Sequence, residues 1–482
     1  MATTCPLAGF MARLRRMSAR KRVPFIAILI AAQICSSSSR GRTVSPNSVI
    51  CITHVTVIDT ETGAENTDQT VTVAGDRITR VQASSSEQPA AGAQVIDGSG
   101  KFLIPGLWDM HVHGASDERA SWSYPLYIAN GVTGVRDMWG PSNANKFRAH
   151  LERQETIAPH LYLASPIVDG SPPVWRGSVV VTNASQARKF VDEQKRNGAD
   201  FIKIYNNLSR ESYFAIADES KRQQIPFDGH VPLAVTAWEA TASGQRTIEH
   251  LRGLPLAVSA REDELRRVAA SGSFRERNAA ALWALQSYSQ SKADRLFQEF
   301  KKNETWQVPT LTVLRATGRL TDPLFTADAR LHYVPYQHRQ QWNASADFRF
   351  RDWTAADFLQ DRQLFHEEQK LVGAMFRAGV PMLAGTDTMN PYCFPGFSLH
   401  DELALIVESG VTPLGALQMA TRNPAILMNA TDRYGSIASG KIADLVLLDA
   451  DPLQDIHNTT KIRAVFLAGR LFDRAGLDHL LK

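Results

Sequence analysis

Residues 101–113 read KFLIPGLWDMHVH, an apolar run that ends in two histidines separated by one residue. Residues i and i+2 of a β-strand point to the same face of a sheet. His111 and His113 would therefore project together from the end of a buried strand. Alone, such a pair is weak evidence for a metal site, because histidines also fall at this spacing by chance. Its meaning depends on what the rest of the chain places beside it.

The middle of the chain alternates strand-like and helix-like segments. After residues 101–113, seven more apolar segments resemble buried strands: GVTGVRDM, HLYLASPIV, ADFIKIY, PFDGHV, RTIEHL, WQVPTLTVL and VPMLAGTD. Helix-like stretches lie between most of them, an alternation that is typical of a parallel sheet. Eight strands predict an α/β fold with a (β/α)₈ TIM-like barrel over residues 105–432. Residues 254–305 are charged and helix-like, so we expect a helical insertion between strands six and seven.

Both ends of the chain have a different pattern. Residues 44–104 and 433–482 contain short segments in which apolar and polar residues alternate, separated by Gly, Asp and Asn turns. Such segments are typical of antiparallel strands. Neither end has enough strands to bury a face by itself. We therefore expect the two ends to pack together as one small β-sandwich domain.

The amino terminus differs in charge from the remainder. The formal net charge of +4 includes eight Lys and Arg and no acid from residues 1–43, which leaves −4 for the other residues. This balance argues against nucleic acid as a partner. The basic RLRRMSARKR followed by the apolar VPFIAILIAAQIC is typical of a signal peptide. We expect residues 1–43 to be signal peptide and disordered linker on an exported protein, periplasmic or secreted, without a membrane segment after processing. An uncleaved anchor or a disordered tail is the alternative.

Four further residues stand at the ends of other predicted strands: Lys203 in FIKIY, His230 in GHV, His250 in IEHL and Asp387 in LAGTD. Each has an ordinary explanation, namely a lysine that reaches solvent, a histidine satisfied in the core, or an aspartate that caps a helix. Together with the first histidine pair they would meet at the carboxyl ends of the barrel strands, the face that carries catalysis. Imidazole and carboxylate groups suit zinc. A buried lysine is costly unless modified, and its neutral amine can add carbon dioxide to give a carbamate that bridges two cations.

The segments PGLWDMHVH, FIKIY, GHV, IEHL and LAGTD, with the tail ATRNPAILMNATDRYGSIASGKIADLVLLDADP, resemble the amidohydrolase superfamily of metal-dependent hydrolases over roughly residues 48–475. Within it the chain is similar to the branch of imidazolonepropionase-like proteins and prolidase-like dipeptidases. The resemblance implies two divalent ions, zinc by preference. It assigns His111, His113 and Asp387 to the first ion, His230 and His250 to the second, and Lys203, as N6-carboxylysine, to both. Imidazolonepropionases lack the bridging lysine and use one metal, so Lys203 favours the two-metal, peptidase-like branch.

The expected activity is hydrolysis of an amide C–N bond in a small peptide-like or N-acyl amino-acid substrate by a hydroxide shared between the two ions. A dipeptidase is one enzyme of this kind. Asp387 would take the proton of the nucleophile and deliver it to the leaving nitrogen. Tyr205 lies two residues after Lys203 on the same face and could stabilise the oxyanion or bind a substrate carboxylate; it could also be a packing residue. Arg136, with Asp137, and Arg176 are candidate substrate contacts, although a solvated arginine is the more common case.

Two other readings of the sequence stay open. A mononuclear hydrolase or deaminase of cyclic substrates, like imidazolonepropionase, would bind one ion per chain. A non-catalytic binding module on the same fold should have lost ligands, whereas all six positions are filled here. His400 in FSLHDEL is left out of the metal set. The expected partners are a small molecule or a short peptide, and a homo-oligomer is possible.

Overall fold

The computed structural model describes residues 49–86 and 88–482. The predicted signal peptide and linker, residues 1–43, lie outside the described residues. The described residues belong to one unit, Thr43–Lys482. No helix within this part of the chain combines the length and the apolar character that crossing a membrane requires.

The strands of the described residues are short except at the amino-terminal end. They are β1 Val49–Ile58, β2 Glu65–Ala74, β3 Arg77–Ala83, β4 Gln94–Asp97, β5 Phe102–Pro105, β6 Leu107–Val112, β7 Val132–Asp137, β8 His160–Leu163, β9 Val168–Asp169, β10 Val179–Val180, β11 Ile202–Ile204, β12 Phe227–Gly229, β13 Thr247–Glu249, β14 Trp306–Val308, β15 Leu445–Leu448, β16 Ile462–Leu467 and β17 Arg470–Phe472.

Helices fill most of the connections between the later strands. They are α1 Asp117–Ala129, α2 Ala144–Arg153, α3 Ala184–Arg196, α4 Arg210–Gln223, α5 Ala237–Ala242, α6 Leu254–Ala257, α7 Glu262–Ser271, α8 Phe274–Gln286, α9 Gln290–Lys302, α10 Leu311–Thr317, α11 Pro323–Thr326, α12 Tyr336–Gln340, α13 Ala355–Arg377, α14 Phe397–Glu408, α15 Pro413–Met419, α16 Arg422–Leu427 and α17 Arg474–Leu480. Single 3₁₀ turns occur at Ser84–Ser86, Ala329–Tyr333 and Ile456–Thr460.

Strands from both chain ends form one eight-stranded sheet. Its order is β17-β16-β15-β5-β1-β2-β3, and β4 also pairs with β1. The antiparallel pair of β5 and β15, with Ile104 opposite Val446, joins the amino-terminal strands to the carboxy-terminal ones. The predicted association of the two ends is therefore seen as a shared sheet. A two-layer sandwich stays a prediction, because the pairing itself describes one connected sheet.

Two further sheets are parallel throughout. One has the order β6-β7-β8 and the other β10-β9-β11-β12-β13-β14. All six residues of β6 are buried, as expected when both faces of a parallel strand are covered. Isolated parallel bridges connect the two sheets to each other and to residues 381–388; they join Ala164 to Phe201, Gln307 to Met382, and Val112 to Thr388. A closed eight-stranded ring stays a prediction that these bridges favour.

The helices that matter for the site lie after β13 and β14. Helices α6 to α9 occupy the connection from β13 to β14, the region in which the sequence predicts a helical segment. Helix α13 follows four shorter elements after β14 and is the longest helix of the described chain. It begins with a capping box formed by Thr354 and Asp357, which satisfies the free N–H groups of its first turn. Helix α8 packs against α13.

Candidate active site

All six side chains predicted as metal ligands line one cavity of about 740 Å³: His111, His113, Lys203, His230, His250 and Asp387. They lie within or directly after β6, β11, β12 and β13, and in residues 381–388. These positions are the carboxyl ends of parallel strands, where the side chains of consecutive strands meet. The structure thus brings together residues that are up to 276 positions apart in the sequence.

The centre of the group is the carboxylate of Asp387. Its Oδ1 lies 2.9 Å from His113 Nε2 and 3.3 Å from His111 Nε2, and its Oδ2 lies 3.8 Å from His250 Nε2. One ligand atom from each of His111, His113 and Asp387 lies within 4.8 Å of the others, close enough to hold one metal ion. Burial by itself would raise the pKa of Asp387, but the three imidazoles lower it well below its ordinary value. This carboxylate is therefore ionised.

Three of the four histidines are held by a partner at Nδ1. His111 Nδ1 donates to Glu249 Oε2 at 2.6 Å, and His230 Nδ1 donates to Asn206 Oδ1 at 2.7 Å. Second partners of this kind fix the ring and its tautomer, so that Nε2 keeps its lone pair for a metal ion.

His250 is oriented in the same way. Its Nδ1 lies 2.6 Å from Thr310 Oγ1, whose own hydroxyl donates to the carbonyl oxygen of Pro309, so the ring nitrogen is the donor. Burial lowers the pKa of His111, His230 and His250 well below the ordinary value for histidine. Neutral imidazole is the form that binds metal ions.

Lys203 is almost completely enclosed, with 1% of its surface exposed. Its Nζ is buried and makes no hydrogen bond to any described residue. Burial lowers the pKa of this amine to about 8, although Glu249 and Asp387 oppose the shift. A buried ammonium without partners is costly. The orphaned nitrogen therefore fits an amine that is neutral or modified better than it fits a permanent cation.

The backbone of the site adopts unusual conformations. His250, Thr310 and Asp387 have φ of 55°, 52° and 58°, in the left-handed region that non-glycine residues seldom occupy. Such strain persists where the surrounding structure enforces it, most often at functional sites. The close approach of residues 381–388 to β6 also requires a glycine at position 385, because a Cβ there would lie 2.8 Å from the Cβ of His111. Residues 381–388 can thus pass directly against β6.

Arg136 lies beneath the site and does not line the cavity. It is 0% exposed. Its Nη2 donates to both oxygens of Glu249 at 2.9 and 3.0 Å, its Nη1 donates to Thr247 Oγ1 at 3.0 Å, and its Nε donates to the carbonyl oxygen of Met110 at 2.6 Å. The expectation of a substrate contact is corrected, because every nitrogen of this guanidinium is engaged below the ligands. Its role is to hold Glu249, which in turn holds His111.

Asp137, which the sequence indicates beside Arg136 as a candidate substrate contact, instead accepts hydrogen bonds from the protein backbone. Its Oδ2 accepts from the backbone N–H groups of Gly114 and Ala115 at 2.6 and 2.8 Å, and its Oδ1 accepts from that of Trp139 at 2.9 Å. These bonds fix the loop that follows the histidine pair. Asp137 therefore shapes the site without facing the cavity.

Tyr205 lines the cavity as predicted, and its ring centroid lies 4.1 Å from that of His230. Its hydroxyl oxygen accepts a hydrogen bond from Trp175 Nε1 at 2.7 Å. Burial raises the pKa of the phenol to about 12. The hydroxyl is thus protonated at neutral pH, and its hydrogen is free to be donated into the cavity.

Arg176 is exposed and lies outside the cavity lining, which corrects the expectation that it contacts substrate. Its neighbour Trp175 takes that place, because the loop turns the indole inwards and the guanidinium outwards. His400 is buried elsewhere and lies 2.9 Å from Thr459 Oγ1 and 3.0 Å from the carbonyl oxygen of Asn130. Its omission from the metal set agrees with this position.

Sequence reasoning missed the residues that orient the ligands: Glu249, Asn206 and Thr310. One of them carried a signal. Glu249 is an acid inside the apolar segment TIEHL, and a charged residue in a buried strand needs a partner. The amide and the hydroxyl carried none, because polar residues are common at strand ends.

Residues 102–472 match the model of the amidohydrolase family. The chain belongs to the amidohydrolase family. This result confirms the resemblance inferred from the sequence, and it makes the protein a hydrolase of carbon–nitrogen bonds. The fold is the α/β fold of these enzymes.

Three proteins illustrate what this chain is similar to. The ochratoxinase of Aspergillus niger is 32% identical over 437 residues, which cover 78% of this chain and 76% of that protein. The structure of a bottromycin amidohydrolase superposes with a TM-score of 0.71 at 25% identity, over 91% of this chain and 89% of the other. An Xaa-Pro dipeptidase with methionine bound in its active site superposes with a TM-score of 0.64 at 19% identity, over 88% and 100% of the two chains. The last likeness concerns the fold alone.

Proposed function

We propose that this amidohydrolase uses two divalent metal ions, zinc by preference, to hydrolyse the amide bond of a small peptide-like or N-acyl amino-acid substrate. The observation that carries the proposal is the meeting of all six ligand-type side chains in one cavity around the carboxylate of Asp387. The bottromycin amidohydrolase named above supports the same reaction class.

The residues divide into two sets of ligands. His111, His113 and Asp387 would hold the first ion. His230 and His250 would hold the second, each through the Nε2 that its oriented ring leaves free. Lys203, as a carbamate, would bind both, which would account for its buried and unpartnered nitrogen. When bound, the ions supply an activated water and polarise the amide carbonyl.

The protein's own groups would move the protons and stabilise charge. Asp387 is ionised and lies at the centre of the site, so it can accept the proton that the attacking water releases and pass it to the leaving nitrogen. Tyr205 can donate its hydroxyl hydrogen to the oxyanion or to a substrate carboxylate. Both roles require only hydrogen-bond reach within the same cavity.

The proposal extends to the scaffold and to the location of the enzyme. The parallel bridges support a closed eight-stranded barrel. Buried side chains from both chain ends, such as Val71 and Phe466, belong to one apolar cluster, which supports a sheet folded over its own core as a small sandwich. The basic and apolar order of residues 1–43 supports export to the periplasm or the medium.

Metal content and hydrolysis together test the proposed function. We expect two zinc ions per chain by elemental analysis of the metal-loaded protein, and hydrolysis within a panel of dipeptides and N-acyl amino acids. One ion per chain would favour the mononuclear hydrolase or deaminase instead. No hydrolysis of any amide by the metal-loaded protein would contradict the proposal.

A pair of variants tests the role of Asp387. Asp387→Asn should lower kcat at least about a hundredfold, because the proton acceptor is lost. His457→Asn is the control, since His457 is an exposed histidine that pairs with Asp455 away from the cavity. An unchanged kcat in Asp387→Asn would show that another group moves the proton.

A further inference from the structure

The cavity extends beyond the metal ligands to a wall built by α8 and α13. Asp361, Leu364 and Glu368 of α13 line it, and Asn278 of α8 lies beside them. Positions i, i+3 and i+7 share one face of a helix. One face of α13 therefore presents two acids, with an apolar residue between them, to the same cavity that holds the six ligand-type side chains.

The two acids are nearly enclosed by protein, with 5% of Asp361 and 6% of Glu368 exposed. Asp361 Oδ1 accepts a hydrogen bond from Asn278 Nδ2 at 2.6 Å. Glu368 makes no hydrogen bond and no ion pair with any residue in the described part of the chain. Burial raises the pKa of Glu368 well above its ordinary value, and nearby Asp361 raises it further.

A buried carboxyl group without a partner is costly, and structural acids are normally hydrogen-bonded. Glu402 shows the usual arrangement in this protein, since its two oxygens accept from the backbone N–H groups of Leu311 and Thr312 at 2.9 and 2.7 Å. Glu368 lacks such partners but faces an open cavity. Its acceptor capacity is therefore available to a ligand.

The positive charge of Arg252 acts on this wall, because it lowers the pKa of both acids. It makes no ion pair with either acid within 4.0 Å, and its guanidinium carbon lies instead 5.5 Å from the ring centroid of Phe274. It follows His250 by two residues, and its charge also lowers the pKa of that histidine. Arg252 lines the same cavity as the six ligand-type side chains and the two acids, and its buried Nε has no hydrogen-bond partner among the described residues.

We infer that this wall is a subsite for a substrate residue that carries both a carboxylate and a basic side chain, as a carboxy-terminal lysine or arginine does. Asp361 and Glu368 accept hydrogen bonds from the side-chain ammonium or guanidinium of this residue. Leu364 contacts the methylene groups of the same side chain, and Arg252 binds the carboxylate. The inference rests on the proposed function, since it places the scissile amide at the metal ligands. A neutral or acidic side chain would leave the two acids without a partner.

The test compares substrates that differ only in the charge of one side chain. Zinc-loaded protein is given alanyl-lysine, alanyl-arginine, alanyl-norleucine and alanyl-glutamate, together with the carboxy-terminal amides of the first and third. We expect kcat/KM for lysine to exceed that for norleucine at least about tenfold, because a charge-assisted hydrogen bond in a buried site is lost in norleucine. Glu368→Gln and Asp361→Asn should each reduce that ratio towards one.

Glu367→Gln is the matched control, because it makes the same substitution of glutamine for glutamate at the neighbouring position of α13. Glu367 pairs with Lys370 at 2.6 Å and does not line the cavity, so the ratio should stay as in the wild type. Arg252→Gln should instead reduce the preference for the free acid over the amide. Binding of L-lysine against L-norleucine, measured as a shift in Tm, gives a readout that needs no turnover.

The possible results separate this inference from the proposed function. Hydrolysis of norleucine and lysine dipeptides at equal kcat/KM, or equal Tm shifts with the two amino acids, overturns the subsite and leaves the amidohydrolase reaction standing. An unchanged ratio in both Glu368→Gln and Asp361→Asn overturns it as well. If one of these variants does not fold, the other and the wild-type ratio still decide. Failure to hydrolyse any amide overturns the proposed function itself.

Discussion

Glu249→Gln should weaken both the fold and the metal site, because Glu249 is the link between Arg136 and His111. The carboxylate is 0% exposed and accepts from Arg136 Nη2 at 2.9 and 3.0 Å, from His111 Nδ1 at 2.6 Å and from the hydroxyl of Thr247. An amide at this place turns one acceptor into a donor that faces other donors. It also leaves the buried guanidinium with less compensating charge.

The size of the effect follows from these contacts. Breaking a buried ion pair on one side costs about 3–5 kcal/mol. For a unit of this size, a change of 1 kcal/mol in the free energy of unfolding shifts Tm by about 1 °C, so we expect Tm of the metal-free protein to fall by about 3–5 °C. Loss of the group that orients a ligand histidine should raise the Kd for zinc about 10- to 100-fold.

Thermal unfolding of the metal-free protein and competitive zinc titration measure the two effects separately. Glu402→Gln is the control, since Glu402 is equally buried and accepts two backbone N–H groups but lies outside the cavity lining. It should lower Tm while leaving the Kd for zinc unchanged. The reasoning is refuted if Glu249→Gln binds zinc as tightly as the wild type, because His111 would then not depend on this partner.

Three further results are expected. Tyr205→Phe should lower kcat/KM about 10- to 100-fold at unchanged metal content, because one donor to the oxyanion or carboxylate is lost; equal kinetics would make Tyr205 a packing residue. Lys203→Met should keep the fold and reduce metal content from two ions to one, and two retained ions would contradict the bridging role. Burial raises the pKa of Asp361 from 3.8 to about 7, so its contribution to stability is complete below about pH 4 and is lost as the pH rises through 7. Over that window Tm of the metal-free wild type should fall more steeply than that of Asp361→Asn, and parallel curves would argue against the shift.

The sequence could place six candidate ligands at the ends of strands, because strand periodicity and strand ends are local properties. His111 and His113 follow an apolar strand at the spacing that puts them on one face, and each later ligand closes a similar segment. Arg136 shows the limit of this reasoning. It too ends a strand, but its side chain lies in the layer below the ligands and its charge is used by Glu249. Depth within a parallel sheet depends on the register of neighbouring strands, which periodicity does not define.

Loops and helices set a second limit. The sequence could nominate the segment PVWRGS, but the choice between Trp175 and Arg176 depends on how the loop packs over the cavity. In the same way, Asp361 and Glu368 look like ordinary charges of an amphipathic helix, and nothing local shows that they are buried. Their position follows from the packing of α13 against α8, which are far apart along the chain.

By itself the sequence indicated the reaction class through its resemblance to the amidohydrolases, and it indicated the six ligand-type residues through residue type, spacing and apolar context. Only the tertiary structure decided which nitrogen of each histidine is free, which acid holds His111, and which side chains form the far wall of the cavity. The physical reason is that these properties are distances and directions between segments remote in the chain, and such distances are fixed by packing and by the satisfaction of buried polar groups.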